Sequence, residues 1–206
     1  ETPLGPSPKA IEAVRMAASE MHRYADGGAN DLRDALSAHH GLEKSRIICG
    51  TGSDEILQLI AQAYAAPGDE IIHTRYGFMV YAIAARRVGA NPVIADERDY
   101  TADVDAILSV VTEKTRVIFI ANPNNPTGTL LNPSEIERLH AALPGDIVLV
   151  IDGAYAEYVS VDDYDGGLKL AQSAPNVVMT RTFSKIYGLA AERVGWAYGP
   201  QEIIDV

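Results

Sequence analysis

The sequence predicts an α/β fold: an α/β/α sandwich on a mostly parallel sheet of seven strands. Three observations carry this. Strand and helix patterns alternate almost throughout the chain. The strand candidates are unbroken apolar runs, which suit parallel strands covered by helices on both faces. Polar and glycine-bearing segments follow the carboxyl ends of those runs, where such sheets bind ligands.

The elements follow in order. Ser7-Pro8 opens a helix with a capping hydroxyl and a proline at the first helical position, and Ile11, Val14 and Met21 fall roughly on one face. A second helix runs from Asn30 to His40 and stops at Gly41. Residues 46–49 form a short strand ending at Cys49, the single cysteine, read as a small buried apolar residue. Residues 53–66 form a helix with Ile56, Leu59, Ile60 and Ala63 inward. Pro67-Gly68-Asp69 turns the chain into a strand over 70–74, then a helix over 77–88 closed by Gly89. A strand over 92–95, a helix over 104–111 and a strongly apolar strand over 116–121 come next. Asn132-Pro133-Ser134-Glu135 starts a helix, with a cap, a proline and a glutamate at the third helical position. Strands over 147–152, 176–180 and 194–198 complete the sheet, with an acidic loop over 160–167.

Composition narrows the functional classes. The 206 residues are 47% hydrophobic, enough for a sizeable core. A formal net charge of -11 argues against nucleic acid as a partner. One cysteine excludes an intramolecular disulfide framework and fits a reducing compartment. No apolar run approaches the roughly 20 residues of a membrane span, and no signal peptide is visible, so a cytoplasmic location is expected. Glu1 in place of methionine suggests a trimmed start. The five histidines show no His-Glu-x-x-His spacing, so no metal site is expected.

Several segments at the predicted sheet edge carry chemistry. Gly50-Thr51-Gly52-Ser53-Asp54-Glu55 opens a helix, and its backbone N–H groups make either an anion site or a tight turn. Asn122-Pro123-Asn124-Asn125-Pro126-Thr127-Gly128 is stiffened by two prolines, and holds an amide donor rigidly or serves as a plain turn. Asp152 ends a buried strand three residues before Tyr155, as a helix cap or as counter-ion to a protonated ring nitrogen. Lys185 lies among Phe183, Ile186, Tyr187 and Leu189, with Arg193 eight positions on. A lone lysine is ordinarily solvated; burial and a neighbouring cation would instead expose a nucleophilic amine.

Together these runs resemble the fold-type-I pyridoxal-phosphate aminotransferases, across essentially the whole chain. The Asn-Pro-Thr-Gly run, the Asp152-x-x-Tyr155 pair and Ser184-Lys185 with Arg193 stand in that family's order. Residues 3–8, 24–33 and 188–196 are most similar to its bacterial histidinol-phosphate subfamily. The resemblance implies pyridoxal 5'-phosphate (PLP) as cofactor, attached through Lys185. Asp152 would meet the ring nitrogen, Asn125 and Tyr155 the phenolic oxygen, and Tyr76 the ring face. Ser53, Asp54, Ser184 and Arg193 would hold the phosphate, and Tyr24 would reach the cofactor of a second subunit in a homodimer. Residues 1–30 would form a partner-contacting arm and residues 31–206 the cofactor-binding large domain, with the family's smaller domain lying beyond Val206. The implied reaction moves an amino group from histidinol phosphate to 2-oxoglutarate. The alternatives are aromatic-amino-acid transamination, phosphothreonine decarboxylation, or a non-catalytic cofactor-binding or dimerisation fragment. Two positions depart from the subfamily: Thr2 stands where asparagine is usual, and Ala25 where proline is usual.

Overall fold

The structure is a computed structural model that describes residues 2–206; Glu1, with the expectation of a trimmed start, lies outside the described residues. In chain order the elements are α1 (Pro8–Ala17), α2 (Asn30–His40), β1 (Ile47–Thr51), α3 (Gly52–Tyr64), β2 (Glu70–Thr74), α4 (Val80–Arg87), β3 (Asn91–Ala95), β4 (Glu97–Arg98) and β5 (Thr101–Ala102). They continue with α5 (Val104–Ser109), β6 (Thr115–Ala121), α6 (Pro133–Ala142), β7 (Val148–Asp152), α7 (Leu168–Ser173), β8 (Val177–Thr182), β9 (Val194–Tyr198) and α8 (Gln201–Ile204).

The main sheet has seven strands in the order β1-β9-β8-β7-β6-β2-β3. Every pairing from β8 to β3 is parallel; β9 runs antiparallel to both β8 and β1. The apolar runs feed two cores, because successive side chains of a strand point to opposite faces. On β6, Val117 and Phe119 join the core under α3 and α4, while Ile118 and Ile120 join the one on the opposite face. Each fully buried Ile or Leu contributes about 1.5–3 kcal/mol by leaving water.

Sequence expectation and structure differ in several places, among them Cys49, which is half-buried where a buried residue was expected. The inward face of α3 carries Ile56, Leu57, Ile60 and Ala61, while Leu59 is 44% exposed and Ala63 is also at the surface. Nearly every position of that face is apolar, so periodicity left the helix's rotation open by one residue. The helix expected over 77–88 begins only at Val80; residues 74–77 form a turn closed by Gly77 N–H donating to Thr74 O. The helix expected over 104–111 ends at Ser109. Met21 is off the face it was expected to share with Ile11 and Val14, because α1 stops at Ala17 and a tighter turn follows. No residue of α1 is fully buried. The β4–β5 hairpin and α7 carried no sequence signal that was read.

Capping follows the local chemistry. Ser7 Oγ accepts from Ala10 N–H, and Asn132 Oδ1 accepts from Ser134 N–H, each satisfying a first-turn donor.

Candidate active site

The carboxyl ends of the parallel strands meet at Asp152, the last residue of β7. It pairs in register with Ala121 on β6 and Thr180 on β8, so it sits mid-sheet. Its carboxylate is 3% exposed, and neutral donors hold it. Tyr81 Oη donates to Oδ2 at 2.8 Å, Thr180 Oγ1 to Oδ1 at 3.0 Å, and Ala154 N–H to Oδ1 at 3.3 Å. Burial pushes this carboxyl above its ordinary range; the bonds from Tyr81, Thr180 and Ala154, with the Arg181 charge, pull back. A carboxylate sunk this deep with no ion-pair partner among the described residues suits an incoming cation.

Lys185 lies past the end of β8 in a turn closed by its own backbone. Phe183 N–H donates to Val194 O, Gly188 N–H to Lys185 O, and Leu189 N–H to Phe183 O. The turn leaves Lys185 partly buried, with Nζ 5.2 Å from the centre of the Tyr155 ring. Tyr155 and Asn125 line one cavity of about 490 Å³.

The loop bearing Asn125 is pinned from within. Asn122, 1% exposed, exchanges two hydrogen bonds with the Leu131 backbone, donating to O at 3.1 Å and accepting from N–H at 2.8 Å. Tyr164 Oη donates to Asn122 O at 2.5 Å. From outside, Thr129 Oγ1 donates to Tyr100 O at 2.6 Å, and Asn124 Nδ2 to Glu97 Oε1 at 3.2 Å. The short β4–β5 hairpin thus clamps the asparagine loop.

A second concavity, about 450 Å³, opens at the N-terminus of α3 and is lined by Thr51, Asp54 and Arg193. No side chain caps that helix, so its first N–H groups stay available to an anion. Arg193 reaches across with long contacts to Ser184 Oγ and Thr51 O, each at 3.4 Å. Its φ is 53°, a left-handed conformation costing about 1–3 kcal/mol in a residue with a side chain. Two glycines make the approach possible. A Cβ on Gly195 would collide with Ser53 N, and one on Gly52 with the Arg193 guanidinium. Asp54 Oδ1 is buried without a hydrogen-bond partner, so this residue would serve an anion through its backbone N–H.

The expected residues therefore fall into three groups. Asp152, Tyr155, Lys185 and Asn125 gather at the centre. Ser53, Asp54, Ser184 and Arg193 gather at the α3 terminus. Tyr76 and Tyr24 join neither. Tyr76 is 46% exposed and packs its ring on Tyr100 at 5.3 Å, and Tyr24 is fully exposed. In the same corner Phe78 meets the Tyr81 ring edge-on at 5.9 Å. Sequence reading missed Tyr81, Thr180 and Phe78. A polar residue within an apolar strand, as Thr180 is, was the available signal.

Comparison with known proteins gives consistent results. A family model described as aminotransferase class I and II matches residues 1–206. Histidinol-phosphate aminotransferase of Paramagnetospirillum magneticum is 56% identical over 206 residues, covering 100% of this chain and 57% of that protein. The enzyme of the same name from Ruegeria pomeroyi is also 56% identical, with 56% of its length covered. The crystal structure of histidinol-phosphate aminotransferase from Sinorhizobium meliloti in complex with pyridoxal-5'-phosphate superposes with a TM-score of 0.94 at 30% identity. That match covers 100% of this chain and 56% of the other. The chain thus spans little more than half the length of these relatives.

Proposed function

Because the chain belongs to the class I and II aminotransferase family, we propose that it is the cofactor-binding part of a PLP-dependent aminotransferase that moves the amino group of histidinol phosphate to 2-oxoglutarate. The observation that carries the chemistry is the buried, cation-free Asp152 carboxylate, with Lys185 Nζ over the neighbouring Tyr155 ring. The choice of substrate is supported by the names of relatives at 56% identity.

The residues present fit the cofactor. Bound PLP supplies an electron sink for negative charge developing at the substrate's α-carbon. Asp152 would hold the ring nitrogen in its protonated form. Asn125 and Tyr155 would donate to the phenolic oxygen. The first N–H groups of α3 at Ser53 and Asp54, with Ser184 Oγ and Arg193, would bind the phosphate. Lys185 Nζ would hold the cofactor's carbonyl end and would move a proton at the substrate's α-carbon as a general acid/base. The Tyr76-Gly77-Phe78 corner would supply aromatic cover for the ring: the family resemblance points to Tyr76, and Phe78 packs edge-on against Tyr81, the residue that bonds Asp152.

Residues 31–206 form the cofactor-binding domain and residues 1–30 an arm that reaches a second subunit, with Tyr24 extending to that subunit's site. The full exposure of Tyr24 and the unburied α1 support this homodimer. No helix among the described residues is long and apolar enough to cross a membrane, which is compatible with a cytoplasmic enzyme.

Lys185→Ala is expected to abolish borohydride trapping of PLP on the protein and to lower turnover by at least about a thousandfold, the scale of a lost acid/base group. Retained borohydride-stable labelling in the variant overturns the assignment. A substrate panel of histidinol phosphate, phenylalanine and phosphothreonine on the full-length protein tests the amino donor. A preference for either of the last two rejects histidinol phosphate.

A further inference from the structure

Tyr81 is the largest kind of side chain to be wholly buried in this molecule, and its ring alone does not account for its identity. The ring lies flat on Phe119, with centres 5.0 Å apart and planes 8° from parallel, and meets Phe78 edge-on. A phenylalanine would fill the same space without taking a hydroxyl out of water, a cost of about 1–3 kcal/mol when the group is unpaired. Among the described residues the hydroxyl bonds one partner, Asp152 Oδ2, 71 residues away in the chain.

The arrangement at that carboxylate is specific. An ionised carboxylate offers about four lone-pair sites. Thr180 Oγ1 and Ala154 N–H occupy Oδ1, and Tyr81 Oη occupies one site of Oδ2. One site on Oδ2 is left. The donors come from different elements, α4 for Tyr81, β8 for Thr180 and the turn after β7 for Ala154. Rotation of the carboxylate about its own axis would break bonds on both oxygens at once. Desolvation and the Asp152 charge hold the phenol well above its ordinary pKa, so it remains a donor across the working range.

We propose that Tyr81 is a positioning residue: its phenol fixes the Asp152 carboxylate, ionised, with the last Oδ2 lone pair directed to the cofactor's ring N–H. This rests on the functional reading above. Tyr81 is wholly buried and its hydroxyl is bonded to the carboxylate, so its effect would pass through Asp152.

The test uses the full-length protein and pyridoxamine 5'-phosphate, which lacks the aldehyde and so reports only noncovalent contacts. Tyr81→Phe keeps the ring packing and removes the donor. The expected result is a dissociation constant raised about ten- to a hundredfold, the range for one hydrogen bond to a charged group. In an Asp152→Asn background the same change should have little effect, because the two residues act as one unit. A Tyr81→Phe protein of lower thermal stability but unchanged affinity overturns the proposal, as does an equal loss in both backgrounds. Thr180→Val, which removes a donor from the other oxygen, is expected to weaken binding in the same way and serves if Tyr81→Phe does not fold; unchanged affinity there overturns the fixed-carboxylate geometry. Failure of the unmutated protein to bind either vitamer overturns the functional reading itself, a different outcome from failure of the Tyr81 variant alone.

Discussion

Asp152 shows at the scale of one residue how function and stability oppose each other. Burial raises its pKa, so the folded, cofactor-free protein holds that proton more tightly than the unfolded chain does. Its contribution to stability is therefore present at low pH and lost as pH rises through the raised value. Asp152→Asn removes the charge that burial penalises. The cofactor-free variant should match or exceed the parent's melting temperature near neutral pH, by up to about 4 °C, the shift per kcal/mol for a chain of this size. Its cofactor affinity should fall. Paired thermal melts with and without PLP check both parts, and a variant less stable than the parent without cofactor contradicts the argument. The sequence exposed Asp152 and Lys185 because each interrupts or follows an apolar run. It did not expose Tyr81, since a tyrosine on an amphipathic helix reads as core and its hydroxyl's partner lies on another element.

Elements hold these residues where they are needed, and the asparagine loop is the clearest case. Its shape depends on Asn122, whose amide replaces a missing pair of backbone partners for Leu131. Asn122→Ala would leave the Leu131 N–H and C=O buried and unpaired, at a cost of about 2–4 kcal/mol. Denaturant unfolding should show that loss, and the loosened loop should also weaken PLP binding through Asn125. Unchanged stability would mean the two Leu131 groups find other partners. The prolines made the loop visible in sequence as rigid. The clamp from Tyr100 and Glu97 was invisible, because a hairpin of two-residue strands has no periodicity to detect. Strand β2 adds a second effect at this scale. His73 is buried, Nδ1 lies 2.9 Å from Thr74 O, and burial lowers its pKa. The unfolded chain then binds the proton first, so stability falls as pH drops below about 6.5. His73→Asn should flatten the urea midpoint between about pH 7 and pH 5 relative to the parent, and parallel slopes would exclude His73 as the cause.

Across the whole molecule, the sheet was the most legible feature. Seven apolar runs gave seven strands, because β-runs buried on both faces have little other use in a chain this polar elsewhere. The antiparallel course of β9 was not legible, since strand direction depends on where the chain turns back and not on the strand's composition. The arm was only half legible: Ser7 marked the start of α1, yet nothing in the pattern shows that α1 leaves its apolar residues uncovered. Tyr24→Ala tests the proposed reach of Tyr24 into a second subunit's site. Sedimentation should show little change in assembly, while PLP retention falls several-fold because each site loses one contact from its neighbour. Equal retention removes Tyr24 from the site.

The course of β9 also bears on how the protein matures. Among the described residues β1 pairs with β9 alone, and Arg193 meets Thr51 across 142 residues of sequence. Contacts this distant form slowly, because a long loop must close before they reward it. A chain emerging from the ribosome can pair β2, β3, β6 and β7 while β1 still waits for a neighbour. Seating of β9 between β8 and β1 completes the sheet and, in the same event, brings Arg193 and Gly195 to the α3 terminus. If the α3 terminus is the proposed phosphate site, capture of the vitamer's phosphate would report that β9 has seated.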